Sequence, residues 1–298
     1  MRIITAILTG IITLWTPAWW SAGSVMSVEP AVFPADPKDL PPTNPQDRSI
    51  FDDKIQIAAA ETSLQSRMVA VARSFLGTPY VSGTLNQNGD EEQVTVNLRE
   101  LDCWTFMENS LAIALASGAA RPAFDSLGQY VQQLRYWGGQ VDGYASRIHY
   151  FSGWMLQAEK LGYLHNLTQE FGGVPYPKKI GYMTARPNKY PQLRQKEACQ
   201  KLRQVEERLS QHQWYFIPQN RVARMEHLLL DGDIIALTSW KKDLDIAHQG
   251  FAIRKNGSVY LLHASSLHKR VVVSAQPLVQ YLLSQKGQTG IMVARMKN

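Results

Sequence analysis

The sequence is short of cysteine and of charge, and both shortages exclude classes of protein. Its two cysteines, Cys103 and Cys199, are too few for a small exported domain that is held together by disulfides. Charged residues are 19% and hydrophobic residues 45% of the 298 residues, which is typical of a globular protein and not of a disordered one. The formal net charge of +6 forms no basic stripe along the sequence, so no nucleic acid is expected as a partner.

Motifs of metal, nucleotide and serine-hydrolase sites are absent as well. The sequence contains no HExxH, CxxC or GxSxG motif and no glycine-rich phosphate-binding pattern. The acidic segment NGDEEQ (88–93) lacks the alternating ligand spacing of a calcium loop. We therefore expect neither a metal nor a cofactor in the mechanism.

The N-terminus has the pattern of an export signal. Arg2 precedes an apolar stretch over residues 3–15, and small residues follow at 21–23. This stretch is too short for a membrane span, so residues 1–23 are predicted to be a signal peptide, with an uncleaved anchor as the alternative. The proline-rich residues 24–48 are predicted to be a linker. The mature protein is expected to be periplasmic or secreted, without stable membrane insertion, and monomeric.

Residues 49–298 are predicted to be a single α+β catalytic domain. Helical periodicity predicts helices at about 50–76, from Asp102 to Gly118, at about 122–136 and at 193–212. Strands are predicted at 94–98, 233–239, 247–254, 258–265, 270–275 and 290–296. Because helices come first and strands last, the sheet is expected to be antiparallel.

Cys103 lies in RELDCWTFMENSLAIAL (99–115), directly after a residue suited to begin a helix. With Asp102 as the N-cap, Cys103 occupies the first turn, where free N–H groups and the helix dipole lower a thiol's pKa toward thiolate. The same N–H groups can hold an oxyanion. The alternative is a small buried core residue, and this segment alone does not decide. Cys199 is interpreted as an incidental residue of a polar helix.

His248 and His263 flank a predicted β-hairpin. Its turn, Asn256-Gly257, is a strong two-residue turn signal. That turn places His263 opposite Gly250 and puts both histidines on one face as diagonal neighbours. One imidazole as base and a second to orient it would activate a cysteine. The alternative is that the two histidines merely belong to a polar face of the sheet.

Five segments resemble the NlpC-type papain-fold cysteine hydrolases of bacterial cell walls. They are LGTPYVSG (76–83), DCWTFME (102–108), GDIIAL (232–237), HQGFAI (248–253) and LLHASS (261–266). In that superfamily a Gly-x-Pro-Tyr segment precedes an Asp-Cys at a helix start, and a Gly-Asp strand, a His-x-Gly strand and a His-Ala strand follow. The resemblance implies a papain-like fold, with helices packed on an antiparallel sheet or partial barrel.

Two longer segments resemble one branch of that superfamily. VTVNLRELDCWTFMENSLAIA and YASRIHYFSGW are similar to a branch first catalogued as a domain of unknown function and later linked to N-acetylmuramoyl-L-alanine amidase activity. The Gly-Ser that follows the cysteine in the endopeptidase branch is replaced by Trp104-Thr105, and 145 residues separate Cys103 from His248. The resemblance implies a helical insertion at about 140–225 that shapes the substrate pocket.

The resemblance also implies roles for individual residues. Cys103 is the nucleophile, His248 the general base and His263 the residue that orients it. Four more residues are candidates for binding the oxyanion or substrate: Tyr80, Asp102, Arg147 and His149. For Tyr80 a core position is the alternative, for Asp102 helix capping, and for His149 packing.

The implied function is hydrolysis of the amide between N-acetylmuramic acid and L-alanine through a thioester. The partner is then peptidoglycan or a muropeptide, and the branch implies a preference for 1,6-anhydro forms. The alternatives are a D,L-endopeptidase that cuts within the stem peptide, an acyltransferase, and a non-catalytic cell-wall-binding module. That module would bind through exposed aromatic side chains, with Trp104, Tyr150 and Trp154 as its platforms.

Overall fold

The computed structural model describes residues 44–86 and 91–297, so the predicted signal peptide and most of the predicted linker lie outside the described residues. The helices are α1 (Pro45–Ala59), α2 (Leu64–Ser74), α3 (Cys103–Ser117), α4 (Phe124–Arg135), α5 (Phe151–Lys160), α6 (Lys196–Gln211), α7 (Val222–Met225) and α8 (Leu278–Ser284). Among these residues no helix is both long and apolar enough to cross a bilayer.

The predicted helix at 50–76 is wrong in its extent, because the segment forms two helices. The break between them lies at Ser63, whose hydroxyl accepts a hydrogen bond from the N–H of Ser66 at 3.1 Å, while the N–H of Ser63 donates to the Ser66 hydroxyl at 3.2 Å. This capping box begins α2. The first helix, α1, starts at Pro45 with Asn44 as its cap, inside the segment predicted to be a linker.

The helix that carries the cysteine is buried on nearly all sides. Its residues from Thr105 to Ala114 are all buried, and α1, α2, α4, β5 and β6 surround it. A helix that is apolar all round is stable only inside a core. As predicted, Asp102 caps its N-terminus and Gly118 follows its last turn. The position of Cys103 is therefore set by the packing of the whole domain.

The described strands form one antiparallel sheet. They are β1 (Leu164–Asn166), β2 (Val174–Pro175), β3 (Tyr215–Pro218), β4 (Ile234–Ser239), β5 (Ile246–Lys255), β6 (Ser258–Ser265), β7 (Arg270–Val273) and β8 (Gln288–Met296). The order across the sheet is β2-β3-β8-β4-β5-β6-β7, and β1 also pairs with β8. The five C-terminal strands and the α+β class are confirmed. β1 to β3, each two to four residues long, have no alternation to reveal them.

The predicted strand at 94–98 is wrong. Val94, Val96 and Leu98 are buried as the alternation indicates, but the segment has no strand partner. Its main chain bonds to side chains instead: the N–H of Leu98 donates to the carboxylate of Asp47 at 2.8 Å. Alternation thus reports which side chains face the core, and it does not show that a neighbouring strand exists.

The hairpin of β5 and β6 has the predicted register. Phe251 lies opposite Leu262 and Lys255 opposite Ser258. Asn256 and Gly257 have positive φ, 51° and 81°, as a type I′ turn requires. A shift by one residue would turn one histidine to the other face of the sheet, so this turn determines the geometry of the site.

Candidate active site

The cap of α3 leaves the backbone N–H of Cys103 open. The Asp102 carboxylate accepts hydrogen bonds from the N–H groups of Trp104 at 3.0 Å and Thr105 at 2.8 Å, while the N–H of Asp102 donates to the Thr105 hydroxyl at 2.9 Å. The N–H of Cys103 takes no part in this cap and faces its own sulfur. N–H groups at a helix start bind anions, so this one can hold an oxyanion that forms beside the sulfur.

Aromatic packing fixes α3 against β5. The ring of Phe106, three residues after Cys103, lies 5.5 Å from that of Phe251, three residues after His248. On its other side, Phe106 meets Phe75 of the loop after α2 at 6.3 Å. Edge-to-face pairs of this kind add to the stability that burial gives. Cys103 and His248 thus lie on two elements, α3 and β5, that pack together through these rings.

His248 and His263 are joined by a hydrogen bond. The Nε2 of His248 lies 2.6 Å from the Nδ1 of His263, and the two rings meet edge to face. The backbone N–H of Gln249, the residue after His248, faces the Cys103 sulfur, so β5 runs past the cysteine next to this histidine. For His248 to accept a proton at Nδ1, its Nε2 must carry the hydrogen that it donates to His263.

These three groups are uncharged at neutral pH. Burial raises the pKa of the Cys103 thiol to about 12, and the Asp102 carboxylate adds to the rise, although N–H groups of the backbone oppose it. Burial lowers the pKa of His248 to about 4 and that of His263 to about 3. The prediction of a pKa lowered toward thiolate is wrong, because desolvation outweighs the helix N-terminus. Attack by this sulfur on a substrate would therefore require its proton to move at the same time.

The pH dependence of activity follows from these directions. We expect kcat/KM to stay level between about pH 6 and about pH 9, because His248 is neutral above its lowered pKa and the thiol keeps its proton below its raised one. As the pH falls toward 4, His248 gains a proton and activity is lost. Initial rates on a soluble muropeptide, with intrinsic fluorescence to confirm folding at each pH, would measure this. An acidic limb near 6.5, the ordinary histidine pKa, would contradict it.

Gly250 makes room for His263. A β-carbon at position 250 would lie 2.6 Å from the carbonyl oxygen of Leu262 and 2.9 Å from the β-carbon of His263. Both are closer than real contacts allow, and one of them is rigid backbone. A side chain here must push β6 away from β5.

We therefore expect Gly250→Ala to lower kcat on the order of 10²-fold, since a displacement of about 1 Å at catalytic groups has that effect. Gly181→Ala is the matched control, because Gly181 has no neighbour within 4 Å of an added β-carbon. Steady-state kinetics of both variants, with circular dichroism for folding, would measure the difference. Equal kcat values would show that the strand spacing does not matter to the chemistry.

Tyr80 and Asp102 both lie near Cys103. The N–H of Tyr80 donates to the carbonyl of Lys269 at 2.9 Å, and the strand-like segment around it runs beside Leu101. Burial raises the pKa of Tyr80 to about 12, with Cys103 and Asp102 adding to the rise. Its hydroxyl therefore stays protonated and can donate to an oxyanion. Asp102 caps α3, which is the alternative role that was predicted for it.

Arg147 and His149 are directed elsewhere. The guanidinium of Arg147 is buried and donates to the carbonyl of Leu85 at 2.9 Å and to the side-chain oxygen of Asn86 at 2.7 Å. The Nε2 of His149 lies 2.8 Å from the carbonyl oxygen of Tyr144, and burial lowers the pKa of His149 to about 3. Both side chains hold loops together, and the structure does not join them to the nucleophile.

Two features of the site were not predicted from the sequence. Tyr281 of α8 packs its ring on that of His263, with centroids 5.4 Å apart, and its pKa is raised by burial and by Cys103. Beneath the nucleophile, the indole N–H of Trp104 donates to the carboxylate of Glu108, which is ion-paired with Arg135; both partners are fully buried. A glutamate within an apolar helix is the one hint that the sequence offers.

The arrangement suits acyl transfer. It combines a thiol, a neutral imidazole with an orienting partner, and two kinds of donor for an oxyanion. Within the described ranges, no three His, Cys, Asp or Glu side chains are grouped as ligands of a metal ion would be.

Comparison with known proteins identifies the family. Residues 70–291 match the family model described as AmiA-like, N-acetylmuramoyl-L-alanine amidase-like. A crystal structure of an N-acetylmuramoyl-L-alanine amidase from Bacteroides uniformis ATCC 8492 is 36% identical with a TM-score of 0.73, over 78% of this chain and 99% of that one. Comparison with curated proteins finds no match.

Two further structures are similar. One from Bacteroides fragilis, which bears the provisional name xylanase, is 35% identical with a TM-score of 0.72, over 76% of this chain and 99% of that one. A protein from Legionella pneumophila str. Philadelphia 1 shares the fold at 20% identity and a TM-score of 0.64, over 85% of this chain and 94% of that one. Since the family model spans most of the chain, this protein belongs to the AmiA-like, N-acetylmuramoyl-L-alanine amidase-like family.

Proposed function

We propose that the protein is an exported cysteine amidase that cleaves the amide between the lactyl group of N-acetylmuramic acid and L-alanine. The observation that supports the proposal is the 2.6 Å hydrogen bond between His248 and His263, on a strand whose next residue, Gln249, directs its N–H at the sulfur of Cys103. Membership of the amidase-like family supports the choice of bond. The substrate is peptidoglycan or a muropeptide, and its 1,6-anhydro form is the preferred one.

The first half of the reaction forms an acyl-enzyme. The Cys103 sulfur attacks the lactyl carbonyl carbon while its proton passes to Nδ1 of His248. The N–H of Cys103 and the hydroxyl of Tyr80 stabilise the oxyanion. His248 then returns the proton to the nitrogen of L-alanine, the C–N bond breaks, and the free peptide leaves a thioester on Cys103.

The second half regenerates the enzyme. His248 takes a proton from water, whose oxygen attacks the thioester carbonyl. When the tetrahedral intermediate collapses, the C–S bond breaks, the sulfur recovers its proton from His248, and the lactyl group leaves as a carboxylic acid. His263 accepts the hydrogen bond from Nε2 of His248 throughout and stabilises the imidazolium that forms in each half.

The carboxylates near Cys103 argue against a glycoside hydrolase. Such an enzyme needs two carboxyl groups, roughly 5–9.5 Å apart, that flank the sugar bond. The Asp102 carboxylate is occupied by two backbone N–H groups of α3, and the Glu108 carboxylate is buried against Arg135. Neither is free to act as acid or nucleophile, whereas the cysteine and histidines are suited to an amide.

The proposal includes the fold family and the location. A nucleophile at the start of a central helix, packed on an antiparallel sheet that carries the base, supports a papain-like assignment. The N-terminal pattern over residues 1–23 supports export to the periplasm or the medium. N-terminal sequencing of the protein recovered from outside the cytoplasm tests this, since Met1 at the N-terminus of that protein would contradict cleavage.

The bond is tested with a defined muropeptide and mass spectrometry of its products. An amidase releases a sugar with a free lactyl carboxylate and an intact peptide that begins with L-alanine. An endopeptidase would instead leave L-alanine and glutamate on the sugar, and a binding module would release nothing; either result overturns the proposal. Parallel rates on 1,6-anhydro and reducing forms test the preference, and equal kcat/KM values would remove it.

A further inference from the structure

A cavity away from the nucleophile lies between α5 and α6. Its volume is about 320 Å³, and we name it the α5–α6 cleft. Its walls are apolar, with Trp137, Leu156 and Leu209 among them, and three basic side chains complete its lining. These are Lys160, Arg208 and His212. Its volume lies at the lower end of the range of small-ligand sites.

The basic side chains of the cleft are free to bind an anion. No aspartate or glutamate lines it. In the part of the chain that the structure describes, neither Lys160 nor Arg208 forms an ion pair, whereas Lys201 of the same helix pairs with Asp142 and Glu197 at 3.2 and 3.1 Å. Lys160, Arg208 and His212 are exposed, so an anion in the cleft can reach them.

The surrounding segment concentrates positive charge. Between Lys178 and Arg208 the sequence holds nine lysines and arginines against three glutamates, an excess of +6 that equals the net charge of the whole chain. In sequence these charges are dispersed among polar and apolar residues, so they form no stripe. The end of this segment, the last turns of α6, lines the cleft, and an excess of positive charge draws anions toward it.

Trp137 supplies an aromatic wall that is fixed in place. Its six-membered ring packs on Gly153, where an added β-carbon would lie 2.9 Å from the ring. Its indole nitrogen is buried and has no hydrogen-bond partner among the described residues, so one buried donor is unsatisfied. An aromatic side chain beside cations suits a sugar ring that carries a carboxylate.

We propose that the α5–α6 cleft binds an acidic saccharide unit of a glycan strand, a sugar whose lactyl carboxylate earlier cleavage has set free, as an accessory site that holds a partly cut strand. The identity of the glycan rests on the proposed function. α5 connects the two sites: Phe151 at its start contacts Trp104, next to the nucleophile, at 5.6 Å between rings. Lys160, at its end, is about 14 Å further along the helix, a distance that one glycan strand can span.

Calorimetric titration of the inactive Cys103→Ala protein tests the site without turnover. The probes are trigalacturonate, the neutral chitotriose and inorganic phosphate. We expect trigalacturonate to bind most tightly, and Arg208→Glu to weaken it by at least about tenfold, since charge reversal turns attraction into repulsion. Lys201→Glu is the matched control on the same helix and is expected to change affinity less than about twofold. Trp137→Ala, which removes the aromatic wall, is expected to weaken binding severalfold.

Three other results of the titration would overturn the inference. Chitotriose that binds as well as trigalacturonate would show a neutral sugar site, phosphate that competes equally would show a simple anion site, and equal losses in both charge variants would show a diffuse effect of charge. Failure of the muropeptide assay with saccharide binding intact would remove the proposed reaction and keep the site. Normal muropeptide turnover without saccharide binding would remove the accessory site and keep the proposed reaction.

Discussion

Cys103→Ala is expected to lower muropeptide hydrolysis by about 10⁴- to 10⁶-fold, as loss of the nucleophile does in covalent hydrolases. The substitution removes the sulfur that faces the open N–H of the α3 N-terminus and leaves the Asp102 cap and the His248–His263 pair in place. Initial rates measured by chromatography of the released peptide, over long incubations, would give the size of the loss.

Cys199→Ala is the matched control for that result. Cys199 is, like Cys103, a free and half-buried cysteine, but it lies on α6. We expect its replacement to leave kcat unchanged within about twofold, because a partly exposed substitution away from the site has little effect. If Cys103→Ala retained activity within tenfold of the native protein, the cysteine mechanism would be abandoned.

The second large effect is on stability. Glu108→Leu is expected to lower the free energy of unfolding by about 3–5 kcal/mol, since it leaves the fully buried Arg135 without its counter-charge. The double variant Glu108→Leu/Arg135→Met should recover most of this loss, because both charges are then absent from the interior. Urea denaturation followed by circular dichroism would give the free energy of unfolding of the native protein and of both variants.

An exposed ion pair provides the comparison. Lys201 pairs with Glu197 one turn earlier on α6, and both side chains are about half exposed or more. Lys201→Met is therefore expected to cost less than about 1 kcal/mol. A similar small loss for Glu108→Leu would mean that Arg135 reaches water or another partner, and the buried pair would then have no special role.

Local chemistry made much of the site predictable from the sequence. Asp102 before an apolar helix predicted the cap, and Asn256-Gly257 predicted the hairpin register that sets His248 beside His263. These features depend on neighbours within a few residues. The resemblance added Tyr80, which the structure places beside Cys103 and Asp102.

The remaining features depend on contacts between distant segments. The N–H of Leu98 bonds to Asp47, 51 residues away, so the segment around it is extended without being a strand. Tyr281 reaches His263 only because α8 folds back over the sheet. The raised pKa of Cys103 depends on burial, which a helix N-terminus in isolation does not have. Sequence periodicity contains none of this information.

The contact between Phe106 and Phe251 has a consequence for the newly synthesised chain. The cysteine is made 145 residues before His248, and the helix that holds it packs against a strand from the last quarter of the chain. Until β5 and β6 have been synthesised, the chain lacks His248 and His263, which the proposed mechanism requires. In the proposed mechanism, activity therefore requires the closed core, and a chain interrupted before the hairpin would carry an unreactive thiol.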